Sequence, residues 1–464
     1  MKKVLSTIAA LGLVAGLAST AAAVDFKISG TYSVEGTYLS NFNGITDAAS
    51  GISSGGIMPI DQGAANHSDS WYMHTFEIKP TMQVNDKVSM VSVIRLADRT
   101  FWGTQAGGDA VGNNMYGNGG NNNVYVHQLY MNYESPIGKF VIGRTPAGGW
   151  GTAFMDFDQR ADRIQLFPSF LASGPVTTQF YMEKSKDNIV YNGTTGLETN
   201  PGSDADYTKY VARAFYKNDN LDSGLEYAFK NNKTVPNVSD QLQDLSVYGK
   251  FKMDNYFANA ELTHFFGSKD YDPGTLNRNY DSWAAFLQGG IKIDALTASL
   301  AYAYAQGQDP AKTTTNGGDI TSALGTTGTG DQFEPMYVLT GRSTGIMNNY
   351  IYSGMGATAS EAGMHAIVAA ADYAVSNQLT LHGAIGWAKA DEAVYWNGTN
   401  AIATNGSNTY GWEYDLGAAY KLLDNLTYEA HFGYLDTGDY FNMGNAVDQT
   451  KNVYVLSHSL TMTF

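Results

Sequence analysis

Residues 26–40 read FKISGTYSVEGTYLS, with Phe26, Ile28, Tyr32, Val34 and Tyr38 apolar and Gly30 and Gly36 between them. The intervening Lys27, Ser29, Thr31, Ser33, Glu35 and Thr37 are polar. Such two-residue alternation gives an extended strand one greasy and one wet face. The run is about twice the length of a globular strand of five or six residues. A bilayer accounts for the excess, because a spanning β-strand needs about 9 to 11 residues at a tilt near 45°. Hydrocarbon offers no partner to an open sheet edge, so strands that cross it must close into a barrel.

The pattern recurs with fitting punctuation. Short turns carry Asp or Asn between long alternating runs: VNDKV at Val84–Val88, then around Met253, Lys292, Val375 and Leu422, with longer versions at Glu134 and Lys217. Asp and Asn bond their own main chain or take up left-handed backbone, which suits hairpins. The opposite connections are long and polar, as in 103–123 and the Gly/Thr-rich stretch 307–363. Tight turns at one end and long loops at the other are the asymmetry of an outer-membrane barrel.

The alternating arms predict strands at 26–39, 71–84, 88–101, 124–134, 139–145, 162–171, 175–184, 207–216, 224–230, 244–253, 256–266, 282–293, 296–306, 364–375, 378–388, 410–421, 426–435 and 453–464. That is an all-β, transmembrane, antiparallel up-and-down β-barrel of 18 strands, or 16 if the weak hairpin around Leu171–Pro175 is absent. Either count is even, as bacterial single-chain barrels require, and barrels of this size leave an aqueous channel. The unequal hairpin spacing speaks against propeller blades or a solenoid.

Residues 1–23 read as a signal peptide rather than part of the fold. Lys2 and Lys3 precede an apolar stretch, and Ala21-Ala22-Ala23 supplies the small residues of a cleavage site after Ala23. Residues 24–464 then form one barrel domain. Losing the two lysines takes the formal charge from −16 to −18. That acidity argues against a nucleic-acid partner, which would need basic patches. With no cysteine there is no disulfide framework or thiolate chemistry. No metal-ligand spacing, phosphate loop or catalytic constellation is present, so the sequence calls for no cofactor and does not read as an enzyme.

The last strand, VYVLSHSLTMTF, ends on Phe464 with Met462, Leu460, Leu456 and Tyr454 on one face. It resembles the C-terminal signature of Gram-negative outer-membrane proteins. The resemblance implies that Tyr454, Leu460, Met462 and Phe464 are read by the barrel-insertion machinery and that the chain sits in outer-membrane lipid. LYMNYESPIGKFVIGRTP, Leu129–Pro146, is similar to the strand-turn-strand of trimeric general porins that ends in a Gly-Arg pair, here Gly143 and Arg144. This implies a homotrimer forming a water-filled channel for passive diffusion of small hydrophilic solutes and ions. It also implies that the next loop, 147–167, folds into the pore as a constriction bearing Asp156, Asp158 and Asp162.

Parity selects the bases that would face those acids. Arg95 shares a face with Ser89, Arg163 with Gln165 and Arg213 with Lys209, all inward. Arg144 has the parity of outward Phe140 and Ile142 and turns inward only if Gly143 bulges the strand. Opposed signs across the constriction would give a transverse field and a mild cation preference. The alternatives left open are solvated lumen residues with no constricting role, a loop outside the pore, a substrate-specific channel for an oligosaccharide or an anion, which needs inward aromatics in a row, and a structural or conduit barrel occupied by a partner protein. Tyr32, Tyr38, Trp71, Tyr72, Trp283, Trp387 and Trp412 read as aromatic girdles. His458, on the outward face, reads as a neutral side chain packed at a subunit contact.

Overall fold

In a computed structural model the described residues are 24–40, 43–44, 57–58, 68–102, 124–146, 149–152, 154–156, 160–186, 206–235, 237–271, 277–312, 318–323, 333, 335–340, 362–396, 401–403, 408–442 and 452–464. The signal-peptide reading for 1–23 lies outside them, as does Asp158. Eighteen strands form one sheet: β1 (Asp25–Ser40), β2 (Asp69–Asn85), β3 (Val88–Phe101), β4 (Tyr125–Ser135), β5 (Gly138–Thr145), β6 (Ala161–Pro168), β7 (Val176–Lys186), β8 (Tyr207–Lys217) and β9 (Leu221–Asn232). The rest are β10 (Val238–Met253), β11 (Tyr256–Tyr271), β12 (Arg278–Ile293), β13 (Leu296–Ala305), β14 (Met364–Ala374), β15 (Leu379–Lys389), β16 (Thr409–Leu423), β17 (Leu426–Thr437) and β18 (Val453–Thr463). Each pairs antiparallel with its chain neighbours, and β18 pairs with β1 to close the barrel. Two small hairpins, Asn43–Gly44 with Ile57–Met58 and Val394–Trp396 with Ala401–Ala403, lie in the connections.

The turn chemistry explains why register holds. The Asn85 side chain accepts the N–H groups of Lys87 and Val88 at 2.9 and 3.0 Å, and Asn218 accepts those of Asn220 and Leu221 at 2.9 and 2.8 Å. Asp254 and Asp294 occupy left-handed backbone, at φ 51° and 50°. The doubtful hairpin at Leu171–Pro175 is real: a single 3₁₀ turn, Ser169–Leu171, leads into a Ser173–Val176 bridge, which decides for 18 strands over 16.

Alternation sorts the two faces. Outward residues such as Leu245, Val247, Leu287, Leu300, Ile367, Leu416, Leu456 and Leu460 are exposed and apolar, whereas their sequence neighbours Asp244, Ser246, Ala301, Ala366 and Ser457 are buried on the inner face. No helix among the described residues is long and apolar enough to cross a membrane. The girdle reading holds for Tyr72, Trp283 and Trp412, which are exposed. Trp71 departs from it and packs on the inner core, having the parity of inward Met73.

The closing seam is sealed by the chain terminus. Gly30 and Phe464 exchange backbone hydrogen bonds at 2.9 and 3.1 Å. A Cβ on Gly30 would meet the Phe464 ring at 2.5 Å, so only glycine leaves the notch in which that ring lies. Further along the seam, the outward His458 finds its partner inside the chain, at 3.2 Å from the Tyr72 hydroxyl. That bond meets the need of a polar group on a lipid-facing wall without invoking a subunit contact.

Two outcomes follow from this geometry. Gly30→Val should reduce the yield of heat-modifiable folded protein as much as removing Phe464 does; a normal yield would show that the notch is dispensable. Ile385, outward and exposed, should as Ile385→Arg cost roughly 2 to 4 kcal/mol of folding free energy in a bilayer, whereas inward Thr380→Arg should be nearly silent, as urea titration of refolded barrels would show.

Candidate functional site: a lumen narrowed by two inward arms

In the β5–β6 connection the described residues 149–152 and 154–156 include side chains that contact the inner face of the wall. Trp150 donates its indole N–H to Ser246 at 2.8 Å and its backbone N–H to Asp156 at 3.0 Å. Thr152 gives both its N–H, at 2.6 Å, and its hydroxyl, at 2.7 Å, to Glu261. Gly151 sits between them at φ +58°, and a Cβ there would strike the Glu261 carboxylate at 2.3 Å. The Trp150 ring meets Tyr248 edge-on at 5.0 Å and Phe215 at 5.8 Å, with the Arg213 guanidinium at 5.1 Å from its centroid. Trp150, Thr152 and Phe154 thus rest on side chains of β8–β12.

A second arm comes from the long β13–β14 connection. Met336, Tyr337, Val338 and Leu339 are buried against the inner face of β15–β17. The Glu413 carboxylate accepts the N–H groups of Val338 and Leu339 at 2.5 and 2.6 Å, and Asp415 accepts that of Tyr337 at 3.3 Å. Tyr337 and His431 share a hydrogen bond of 2.9 Å. The wall makes room: inward positions of β13–β15 are Ala301, Ala303, Ala305, Ala366 and Ala388, all buried. The arms meet where Phe154 packs on Phe333 at 4.8 Å and both lie against Phe286.

The sequence-derived candidates scatter. Arg95, Arg163 and Arg213 face inward as parity requires, and carboxylates of the wall pair with each of them. Arg163 pairs with Glu183 at 2.8 Å, Arg213 with Glu226, and Lys230 with Asp244 at 2.8 Å. Arg95 bridges Glu77 at 2.9 Å and Asp98 at 2.8 Å. Asp156 lies inside yet turns back to cap its own loop, and it is buried. Arg144 and Asp162 are corrections. They pair with each other at 2.8 Å on the outer face, half-exposed, because the β4–β5 register runs without a shift through Gly143 despite its φ of +124°. The expected loop also ends earlier than residue 167, since β6 begins at Ala161.

The partner acids Glu183 and Glu226 were legible from alternation, since Glu226 lies between Gly224 and Ala228, opposite in parity to Leu225 and Tyr227. Among these pairs the degree of solvent access differs sharply. Arg163 and Arg213 side chains are 2% and 3% exposed, against 22% and 28% for Arg95 and Glu77. Tyr181 lies among three of the cations, 4.9 Å from Arg163, 5.3 Å from Arg213 and 5.6 Å from Lys209. Such a lattice stiffens the wall, and removing one partner of a buried pair costs on the order of 3 to 5 kcal/mol. Among the described residues no group of three or more His, Asp or Glu side chains converges as a metal would need.

The fold is that of a Gram-negative outer-membrane porin. OccK9 (OpdG) of Pseudomonas aeruginosa is similar over 94% of this chain and 99% of its own, with a TM-score of 0.51 and 11% identity. OpdQ of the same organism aligns at 11% identity over 94% and 98%, with a TM-score of 0.49. An anion-selective porin from Comamonas acidovorans aligns at 10% identity over 95% and 100%, with a TM-score of 0.45. No family model matches the chain, and no curated protein matches it in sequence. At these identities the likeness speaks for the fold.

If Gly151 is what lets the first arm dock, Gly151→Val should free it from Glu261. The folded barrel should persist, because the strand pairs are untouched, while single-channel conductance rises. Unchanged conductance in a folded variant would show that this arm does not limit the lumen.

Proposed function

We propose that this chain is a passive channel for small hydrophilic solutes and ions, placed in the outer membrane after removal of residues 1–23, with a mild preference for cations. The observation that carries the reading is a closed 18-strand barrel, large enough for a lumen, whose inner face carries the buried charged and polar side chains and whose outer face is apolar. The cation preference rests on charge placement. The inward bases Arg95, Arg163, Arg213 and Lys230 are each matched by wall carboxylates, so they contribute little net positive field, while the chain without residues 1–23 carries −18, two lysines fewer than the −16 of the full sequence. Charges beyond about 8 Å from the path are screened at physiological salt, which leaves the partly exposed Glu77–Arg95 pair, with the buried Asp98 behind it, as the local determinant. Trimer formation, inferred by resemblance, belongs to the same proposal, as does recognition of Tyr454, Leu460, Met462 and Phe464 by the insertion machinery.

The substrate-specific reading requires inward aromatic faces open to a sugar. Inward aromatics do occur, but Trp150 and Phe154 are 3% and 0% exposed, their faces taken up by Tyr248, Phe215, Phe286 and Phe333. They anchor the arms and present no stacking track, which favours the diffusion reading. An anion-specific channel would need uncovered cations, and Arg163 and Arg213 are buried.

Reconstituted in a planar bilayer with a KCl gradient, the protein should give a zero-current potential of the cation-selective sign. Glu77→Gln, which releases part of Arg95, should move it toward anions; Asp156→Asn should not, since that carboxylate faces Trp150. Absence of ionic conductance in the folded protein would overturn the channel reading, and an anionic sign in the unaltered chain would overturn the preference.

A further inference from the structure

The shallowest stretch of the wall is also one that carries charge on its outer face. β5 and β6 have eight residues each, fewer than the roughly 9 to 11 that a spanning strand needs. The ladder arranges their outward side chains in rows across β4–β7. One row is apolar, Met131, Ile142, Ile164 and Met182; in the next, farther from the tight turns, Arg144, Asp162 and Lys184 stand opposite one another. Arg144 pairs with Asp162 at 2.8 Å, both side chains half-exposed, and Lys184 pairs with Asp206.

Depth makes the charged row anomalous. Arg144 lies six residues along β5 from Gly138, about 20 Å at roughly 3.4 Å per residue. At a tilt near 40° that is about 15 Å above the turn, inside an apolar band about 25 Å tall. Six residues into β9, β11, β13, β15 and β17 the outward side chains are Tyr227, Leu262, Tyr302, Ile385 and Phe432, all exposed. Charges facing hydrocarbon at this depth are costly. Wall length and charge depart from the rule of the barrel at the same place.

We propose that the outer face of β4–β7 is covered by a second copy of this chain, with the row from Met131 to Met182 as the dry part of the contact and the row from Arg144 to Lys184 as the polar part that fixes its alignment. The inference rests on the membrane-barrel reading and gives the proposed trimer its contact face. Lipid suits the patch poorly. Acyl tails offer the charges nothing, and a lipid phosphate needs an uncovered base, whereas Arg144 and Lys184 each hold a carboxylate. A second copy suits it because the signs alternate from strand to strand, base, acid, base. Such a row complements a copy of itself shifted by one strand, so the bases of one copy can face the acids of the next.

Oligomeric mass of the full chain in mild detergent, read together with heat-modifiable folding, tests the face. The unaltered protein should sediment as a multiple of the mass of one chain. Ile164→Trp puts a larger apolar ring where lipid accepts it and a packed partner does not, so it should give folded monomers that still conduct. Ile367→Trp, the same change at an exposed outward position of β14, should stay assembled. Arg144→Asp, which sets two acids side by side, should also give monomers, and adding Asp162→Arg to it should restore the assembly.

If Ile164→Trp and Arg144→Asp both remain assembled, this face is overturned and the trimer proposal stands. A monomeric unaltered chain overturns both, and the channel reading survives if that monomer conducts. Should the substituted chains fail to fold, Ile164→Cys decides, since the chain has no cysteine of its own. A lipid-soluble maleimide should label it several-fold more slowly than Ile367→Cys in the same bilayer, and equal rates overturn the covered face.

Discussion

Every other feature rests on one backbone contact, the pairing of β1 with β18. A sheet of 18 strands in hydrocarbon is viable only if its two edges find each other, because each unpaired N–H or C=O there costs several kcal/mol. Ten register pairs from Thr31–Thr463 to Ser40–Tyr454 supply that closure, and Gly30 exchanges two further hydrogen bonds with the last residue, Phe464. Once the sheet is closed, strand alternation is no longer a preference but a sorting rule. Odd and even positions become lumen and lipid.

That rule then governs the electrostatics. Basic residues on the inner face cannot all stay solvated once loops fold inward, so they are met by carboxylates one strand away: Arg163 by Glu183, Arg213 by Glu226, Lys230 by Asp244. The pairing is set by register, since Arg163 stands opposite Glu183 and Arg213 opposite Glu226 in the ladder. A consequence is that the strongest charge cluster of the lumen lies under the first arm rather than along the water path. The pair Arg95–Glu77 is more accessible, at 22% and 28%.

Much of this was legible in the sequence and some was not. Strand positions, their number, the tight-turn residues and the outward face of the last strand follow from period two and from turn chemistry, both local. Arg144 was ambiguous because glycine at 143 permits a bulge without requiring one, and the register settles it outward. Asp162 falls in the strand expected from 162, where parity opposite to Arg163 already turns it outward, whereas Asp156 lies in a loop that carries no parity, and its carboxylate accepts the Trp150 N–H. The inward course of residues 335–340 had no signal of its own. The alanines that admit it, at 301, 303, 305, 366 and 388, are informative only once β13–β15 are known to be neighbours. Within that Gly/Thr-rich connection, composition alone suggested an external loop.

A channel of this build has a lumen open to water but narrowed where the two arms meet at Phe154 and Phe333. Liposome swelling with uncharged sugars graded by size probes this without any contribution from charge. Liposomes bearing the protein should swell readily in the smallest sugars and progressively less as size increases, with a steep decline set by the constriction. Swelling that is equal for all sizes would contradict the narrowing, and none with any sugar, in vesicles shown to contain folded protein, would contradict the open lumen.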